Sequence, residues 1–194
     1  MNPESKVLED RFVRLEPLAE GHREGLRAAA DADADFFPRL YPYSWAGEHF
    51  APSWEKVHAD VAKGHTLAFA VVVDGACRGI TTYYGIDRPN AVLEIGGTYY
   101  DPAIRGGAVN PAAKRLLLAH AFDSGCRRAV FRVDALNARS RGAVGKLGAV
   151  QEGILRQDRV TFTGRVRDTV IFSVLDSEWP AMRTRLDERL AAFG

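Results

Sequence analysis

The chain has 194 residues with 26 Lys plus Arg against 25 Asp plus Glu, and the resulting net charge of +1 gives no electrostatic case for non-specific nucleic-acid binding as a main activity. Its length lies at the upper end of the common single-domain range of about 100–200 residues, so one domain over residues 1–194 is expected. Cys77 and Cys126 have neither metal-ligand spacing nor the density of a disulfide framework, no apolar run approaches the roughly 20 residues that cross a bilayer, and Met1-Asn2-Pro3-Glu4-Ser5 lacks a signal h-region, which together predict a cytoplasmic protein with no metal.

Alternation in Phe12-Val13-Arg14-Leu15-Glu16 predicts a strand, and the Ala- and Leu-rich stretch over 19–30 predicts a helix. Residues 36–54 then interleave Phe36, Phe37, Tyr41, Tyr43, Trp45, Phe50 and Trp54 with Pro38, Pro42, Gly47 and Pro52. Breakers at that density place the rings on a loop or on short helices. A helix over 53–63, capped by Ser53, follows. Strands over 67–73 and 77–84 flank the turn Asp74-Gly75 as a hairpin, and a third strand covers 92–100.

The next stretch is the most informative one: Ile104-Arg105-Gly106-Gly107-Ala108-Val109-Asn110, then Pro111-Ala112-Ala113-Lys114. Asn110 suits an N-cap and Pro111 the first helical position, while Gly125 ends the helix. Lys114 and Arg115 stand near the helix start, where acidic residues ordinarily neutralise the dipole, and that pattern predicts an external anion. Gly106 and Gly107 would let backbone amides approach it closely. A strand over 129–133 comes next, then a helix over 138–147 with Asn137 as its cap and Gly148 as its end. Strands over 153–162 and 165–175 turn at Thr163-Gly164, and a charged helix over 178–190 closes the chain. A strand-rich middle with one helix crossing over between Tyr100 and Ala129 implies a mixed sheet in an α/β or α+β fold.

Three ligands suit a strand, glycine loop and helix. A P-loop needs G-x-x-x-x-G-K-[ST], which this loop lacks. The dinucleotide fingerprint G-x-G-x-x-G is also missing, and the loop follows a hairpin instead of opening a repeated βαβ unit. Acyl-CoA, whose pyrophosphate needs the same cradle of amides, is the third.

The order of this loop, a helix, a strand, Asn137-x-x-Ser140 and Lys146-Leu147-Gly148-Ala149 resembles the acyl-CoA-binding core of the GNAT acetyltransferase superfamily. The resemblance is closer to its ribosomal-protein-alanine N-acetyltransferase (RimJ/RimL-like) branch. It extends through Leu15-Glu16-Pro17-Leu18, Ala135-Leu136-Asn137-Ala138-Arg139-Ser140, Glu152-Gly153-Ile154-Leu155-Arg156 and Gly164-Arg165-Val166-Arg167-Asp168, and is weakest between Ala30 and Thr66. It implies an α+β (mixed α/β) fold, a GNAT-like splayed mixed sheet of about six to seven strands flanked by helices in αβα layers. Acetyl-CoA would lie in the gap with its pyrophosphate on the amides of residues 105–110. Tyr100, Arg105, Gly106, Gly107, Ala108, Val109, Asn110, Asn137 and Ser140 are the implied cofactor contacts. Against the pattern [QR]-x-x-G-x-[GA], Ala108 and Asn110 occupy the later small positions. Val144 stands where many relatives carry a tyrosine that protonates the departing thiolate, so that role passes to another donor or to water.

Acetyl transfer to an amine needs a neutral nitrogen, a stabilised oxyanion and a way to discharge the thiolate. An α-amine with a pKa of about 8 is mostly protonated at neutral pH, which makes a proton acceptor useful. Glu94, between Leu93 and Ile95 on a strand, is the first candidate for catalysis and for contact with the acceptor, and an ion pair with a nearby arginine is the competing role. Gly96 and Gly97 would keep the strand open to pantetheine and supply oxyanion donors, or mark a bulge. Ser140 would act near the thiolate or cap its helix locally. Tyr43 and Trp45 are candidates for the acceptor wall within an aromatic segment that is mostly core. His49 and His65 are isolated and suit structural roles as well as basic ones. Arg156, Arg159, Arg165 and Arg167 make either a solvated face or an attraction for an acidic acceptor or the nucleotide's 3′-phosphate.

The expected function is acetyl-CoA-dependent N-acetylation of a primary amine, such as a protein N-terminus, by direct attack in a ternary complex. A small-molecule amine or antibiotic as acceptor, and a non-catalytic CoA-binding regulator, are the alternatives. No nucleic-acid or membrane partner is expected, and homodimerisation through the last strands or the C-terminal helix is left open.

Overall fold

Eight strands form one mixed sheet in the computed structural model, which describes residues 1–194. They are β1 (Leu8–Glu9), β2 (Arg14–Pro17), β3 (Leu67–Val73), β4 (Ala76–Asp87), β5 (Val92–Tyr100), β6 (Arg128–Asp134), β7 (Val150–Val160) and β8 (Val166–Leu175), in the order β1-β2-β3-β4-β5-β6-β8-β7. β1 is the strand beyond the expected count, and at two residues it is too short to show alternation. Every neighbouring pair is antiparallel except β5 and β6, which are parallel and joined through the crossover helix α4 (Val109–Asp123).

The β5–β6 junction positions the site. The two strands pair only at Val92 with Arg128, Leu93 with Ala129 and Glu94 with Val130, and beyond Glu94 they part. The β4–β5 ladder shifts register between Ile80 and Thr82, and opposite this shift Gly97 takes a φ of +55°. A bulge of this kind bends its strand and strengthens its twist, so β5 swings away from β6 and a cleft opens between them.

Alternation along the strands supplies two apolar faces. One packs on α4, α5 (Ala138–Leu147) and α6 (Trp179–Ala191) around Leu93, Ile95, Leu117, Phe131, Val170 and Met182. The other packs on α1 (Arg23–Asp31), α2 (Phe36–Leu40) and α3 (Phe50–Ala62) around Leu26, Phe37, Trp45, Phe50, Ile80 and Tyr99. Helix layers on both faces make the αβα arrangement.

Helix α3 starts at Phe50, ahead of its expected cap. Pro52 falls in the first turn, where its missing N–H has no intrahelical acceptor to lose, and Ser53 instead donates its hydroxyl to the Ser44 carbonyl at 2.6 Å. Helix α5 keeps the expected ends: Asn137 Oδ1 accepts the Ser140 N–H at 2.9 Å, and Gly148 closes the helix at a φ of +100°.

Candidate active site

The cleft between the parted strands has a volume of about 1170 Å³. A pocket for one ligand holds about 300–1,000 Å³, so the space suits a long cofactor together with a second molecule. The glycine loop after β5 forms one end. At the other, the tip of the β7–β8 hairpin is tied to the aromatic segment, where the Phe162 N–H donates to the Pro42 carbonyl at 3.1 Å.

The loop end differs from expectation in how its helix begins. Helix α4 starts at Val109 with Ala108 as N-cap, so Asn110 is the second helical residue and not the cap, and Pro111 is the third. Pro111 is tolerated there because N–H groups of the first turn lack intrahelical partners in any case. No side chain caps α4, which leaves its leading amides for an anion. Gly106 takes a φ of +85°, and a Cβ at either Gly106 or Gly107 would meet nothing within 4 Å. The backbone here is therefore open to close approach. These features fit a pyrophosphate on the amides of Gly106, Gly107 and the first turn of α4.

The cations near the helix start do not face that anion site. Arg115 pairs with Asp187 of α6. Lys114 lies on the side of α4 that packs against the sheet and donates to Thr98 Oγ1 at 2.6 Å. Arg105 donates from Nε to the Tyr100 carbonyl at 2.7 Å, pairs with Asp33, and lies 5.2 Å from the ring centres of both Phe36 and Tyr99. Arg105 thus ties the glycine loop to the α1–α2 connection.

Burial without a carboxylate partner pulls the Lys114 ammonium down to about 7. The unfolded chain then holds more protons than the folded one between that value and the ordinary lysine range, so stability rises with pH across this window and the lysine costs most below it. Lys114→Met is expected to stabilise the protein by roughly 1–3 kcal/mol at pH 6, the penalty for a poorly compensated buried polar group. The gain should shrink at pH 9. Urea unfolding at the two pH values checks both statements.

On the opposite face of β5, Glu94 and its cross-strand partner Tyr84 stand side by side. The Glu94 side chain is 25% exposed, and its nearest cation is Arg132, with Nε 3.9 Å away. Arg132 is committed elsewhere, since its Nη2 donates to both Asp158 oxygens at 2.8 and 2.9 Å. Burial pushes the Glu94 carboxyl above the usual glutamate range, against the opposing charges of Arg132, Arg159 and Arg167.

The glycines of β5 make room for this cluster. A Cβ at Gly96 would stand 2.7 Å from Glu94 Oε1, and one at Gly97 would stand 2.3 Å from Tyr84 Oη and 2.9 Å from Tyr43 Oη. The two phenols share a hydrogen bond of 2.7 Å. Burial pushes both well away from ionisation, so they act as neutral donors at physiological pH.

Residues 13–150 match the family described as Acetyltransferase (GNAT) domain. The chain belongs to the GNAT acetyltransferase family. Among solved structures, it is 36% identical to a GCN5-related N-acetyltransferase from Brucella melitensis, with 98% of this chain and 87% of that one covered and a TM-score of 0.89. RimJ from Mycobacterium smegmatis, solved with a CoA-disulfide, shares the fold at 21% identity, with 97% of each chain covered and a TM-score of 0.85. The microcin C7 self-immunity acetyltransferase MccE, solved with acetyl-CoA and AMP, shares it at 20% identity over 86% of this chain and 93% of that one, with a TM-score of 0.75. No functionally curated protein matches the sequence.

The GNAT cleft gathers most of the residues singled out in the sequence. Tyr100, Arg105, Gly106, Gly107, Asn110, Asn137 and Ser140 line it, as do Glu94 and Tyr43. Ala108 and Val109 lie at the start of α4 and pack on the core beneath it. Val144 is buried in the α5 wall. Trp45 borders the cleft but is 2% exposed, a core ring set edge-on behind Tyr43. His49 packs edge-on against Phe162 at 5.1 Å, while His65 lies beside Asp87 and Arg88, outside the cleft. Cys77 and Cys126 are free thiols. No helix is long and apolar enough to cross a membrane.

Sequence reasoning missed Tyr84 and Arg132. The signal for Tyr84 was present, because the β4–β5 hairpin register sets it opposite Glu94.

Proposed function

We propose that this GNAT protein transfers the acetyl group of acetyl-CoA to a primary amine by direct attack in a ternary complex. The observation that carries this reading is the cluster of Glu94, Tyr84 and Tyr43 packed around Gly96 and Gly97 at the point where β5 leaves β6. Acetyl-CoA supplies an activated thioester, held through its pyrophosphate by the amides of residues 105–110 and flanked by Asn137 and Ser140 on α5. Glu94 accepts the proton of the incoming ammonium, directly or through one water, and its raised carboxyl brings it nearer to a base suited to neutral pH. Backbone N–H groups at the Gly97 bulge would serve as the oxyanion donors. Ser140 serves the thiolate, since Val144 has no proton to give. The motifs that resemble the ribosomal-protein-alanine branch make a peptide α-amine the first acceptor to test.

Thiol release from acetyl-CoA with a panel of peptides and small amines tests the reaction, and turnover would dispose of the reading as a non-catalytic CoA-binding regulator. Gly107→Glu tests the cofactor end. The space beside Gly107 is open, so the fold should tolerate the change, while a carboxylate at the start of α4 repels phosphate. CoA should raise the melting temperature of the parent protein and have little effect on the variant. Equal shifts in the two would remove residues 105–110 as the pyrophosphate site.

A further inference from the structure

Arg159 on β7 and Arg167 on β8 are direct partners across the antiparallel ladder. Direct partners project from the same face, and like charges so placed oppose each other. Both side chains line the cleft that holds Glu94. Arg167 is 5% exposed, and its Nε has no hydrogen-bond partner. Its Nη2 reaches only the Arg132 carbonyl, at 3.4 Å. The nearest carboxylate is Asp134, 3.7 Å from that Nε. Asp134 is already held by Arg165 and by the Leu136 N–H. Arg159 is exposed, with no acidic side chain within ion-pair distance. The third arginine of this wall, Arg132, is neutralised by Asp158. A buried guanidinium with an unspent donor, set against a second cation, is a costly arrangement unless an anion comes between them.

The cofactor's pyrophosphate does not account for it. That group belongs with the loop following β5, whereas Arg159 and Arg167 stand beyond β6 on the hairpin whose tip meets Pro42. Across the same cleft, Glu94 offers the opposite charge. The two sides together match a molecule that carries an ammonium at one end and an anion at the other.

We infer that the acceptor is an amine bearing a carboxylate or phosphate, which Arg159 and Arg167 hold while the nitrogen is turned toward Glu94. This rests on the acetyl-transfer reading above and narrows its acceptor. Guanidinium groups bind such anions in a planar fork, which gives orientation as well as affinity.

The test compares matched acceptors with and without the anion: alanine with alaninamide, phosphoethanolamine with ethanolamine, and the peptide amides Ala-Asp and Ala-Asn. In each pair the anionic member should have a kcat/KM higher by roughly tenfold or more, the range of a charge-assisted hydrogen bond, and the advantage should fall as salt is raised. Which pair shows the largest ratio distinguishes a carboxylate from a phosphate and a free molecule from a peptide. Arg159 is exposed, so Arg159→Gln should fold normally and raise KM for the anionic members far more than for their neutral counterparts. Arg159→Lys should restore part of the preference. Equal kcat/KM within every pair, or a preference undiminished in Arg159→Gln, overturns the inference while acetyl transfer stands. A loss of affinity in Arg159→Gln for acetyl-CoA but not for its 3′-dephospho form assigns the pair to the nucleotide and also overturns it. If CoA binds but no amine of either kind is acetylated, the acetyl-transfer reading itself fails.

Discussion

Glu94→Gln is expected to lower kcat by about 10²–10⁴-fold, the usual contribution of a positioned acid–base group. The amide keeps the size of the side chain and loses the ability to take a proton. Burial holds the Glu94 carboxyl above its ordinary value, so the working, deprotonated form is lost at a higher pH than for an exposed glutamate. In the parent, kcat/KM should therefore fall as pH drops through that raised value, and in the variant this acidic limb should disappear. Stability follows the opposite sense. A carboxyl raised in the folded state contributes stability that is present below its unfolded value and lost as pH rises through the folded one, so the neutral glutamine should be at least as stable as the parent at pH 7. CoA-dependent thermal shifts should be unchanged. A variant with parental kcat and an intact acidic limb would remove Glu94 from the chemistry and leave it as an arginine partner.

Gly97→Ala is the second large effect. The position has a φ of +55°, and the new Cβ would meet Tyr84 Oη at 2.3 Å. Left-handed backbone costs a non-glycine residue about 1–2 kcal/mol, and that is the smaller loss. The larger one is catalytic. To admit a methyl group, the Tyr84 and Tyr43 hydroxyls must retreat from the bulge, and a displacement of about 1 Å at a reacting centre costs on the order of 10²-fold in rate. Steady-state kinetics should show that loss in kcat/KM while urea unfolding shows only a modest shift. Full activity in a folded Gly97→Ala protein would mean that the acetyl group does not lie beside the bulge.

Much of the fold was legible because the strands over 67–73, 77–84 and 92–100 carry strong local signals, the Asp74-Gly75 turn marks the first hairpin, and the Asn137 cap marks the start of α5. The glycine loop was legible for the same reason, since it announces a backbone approach through residue type alone. Asn110 misled, because Asn before Pro reads as a cap, whereas the chain starts α4 earlier and spends Pro111 within the first turn. Lys114 was read as a cation near an anion; helix phase, fixed only when α4 docks on the sheet, turns it inward to Thr98. Arg159 and Arg167 looked like regular alternation along a hairpin. The register shift between Leu155 and Arg159, with Gln157 at a φ of +51°, decides which arginines share the cleft, and no residue pattern discloses that shift.

Glu94 belongs to the last rung that joins β5 to β6. It is therefore the fulcrum of two half-sheets, β1 to β5 on one side and β6, β8 and β7 on the other. A ligand that wedged the halves apart or drew them together would turn them about Glu94 and displace it least. Changes along the walls, at Phe131 or Val133 for example, would then fit the cleft to acceptors of different girth with the proposed base left in place.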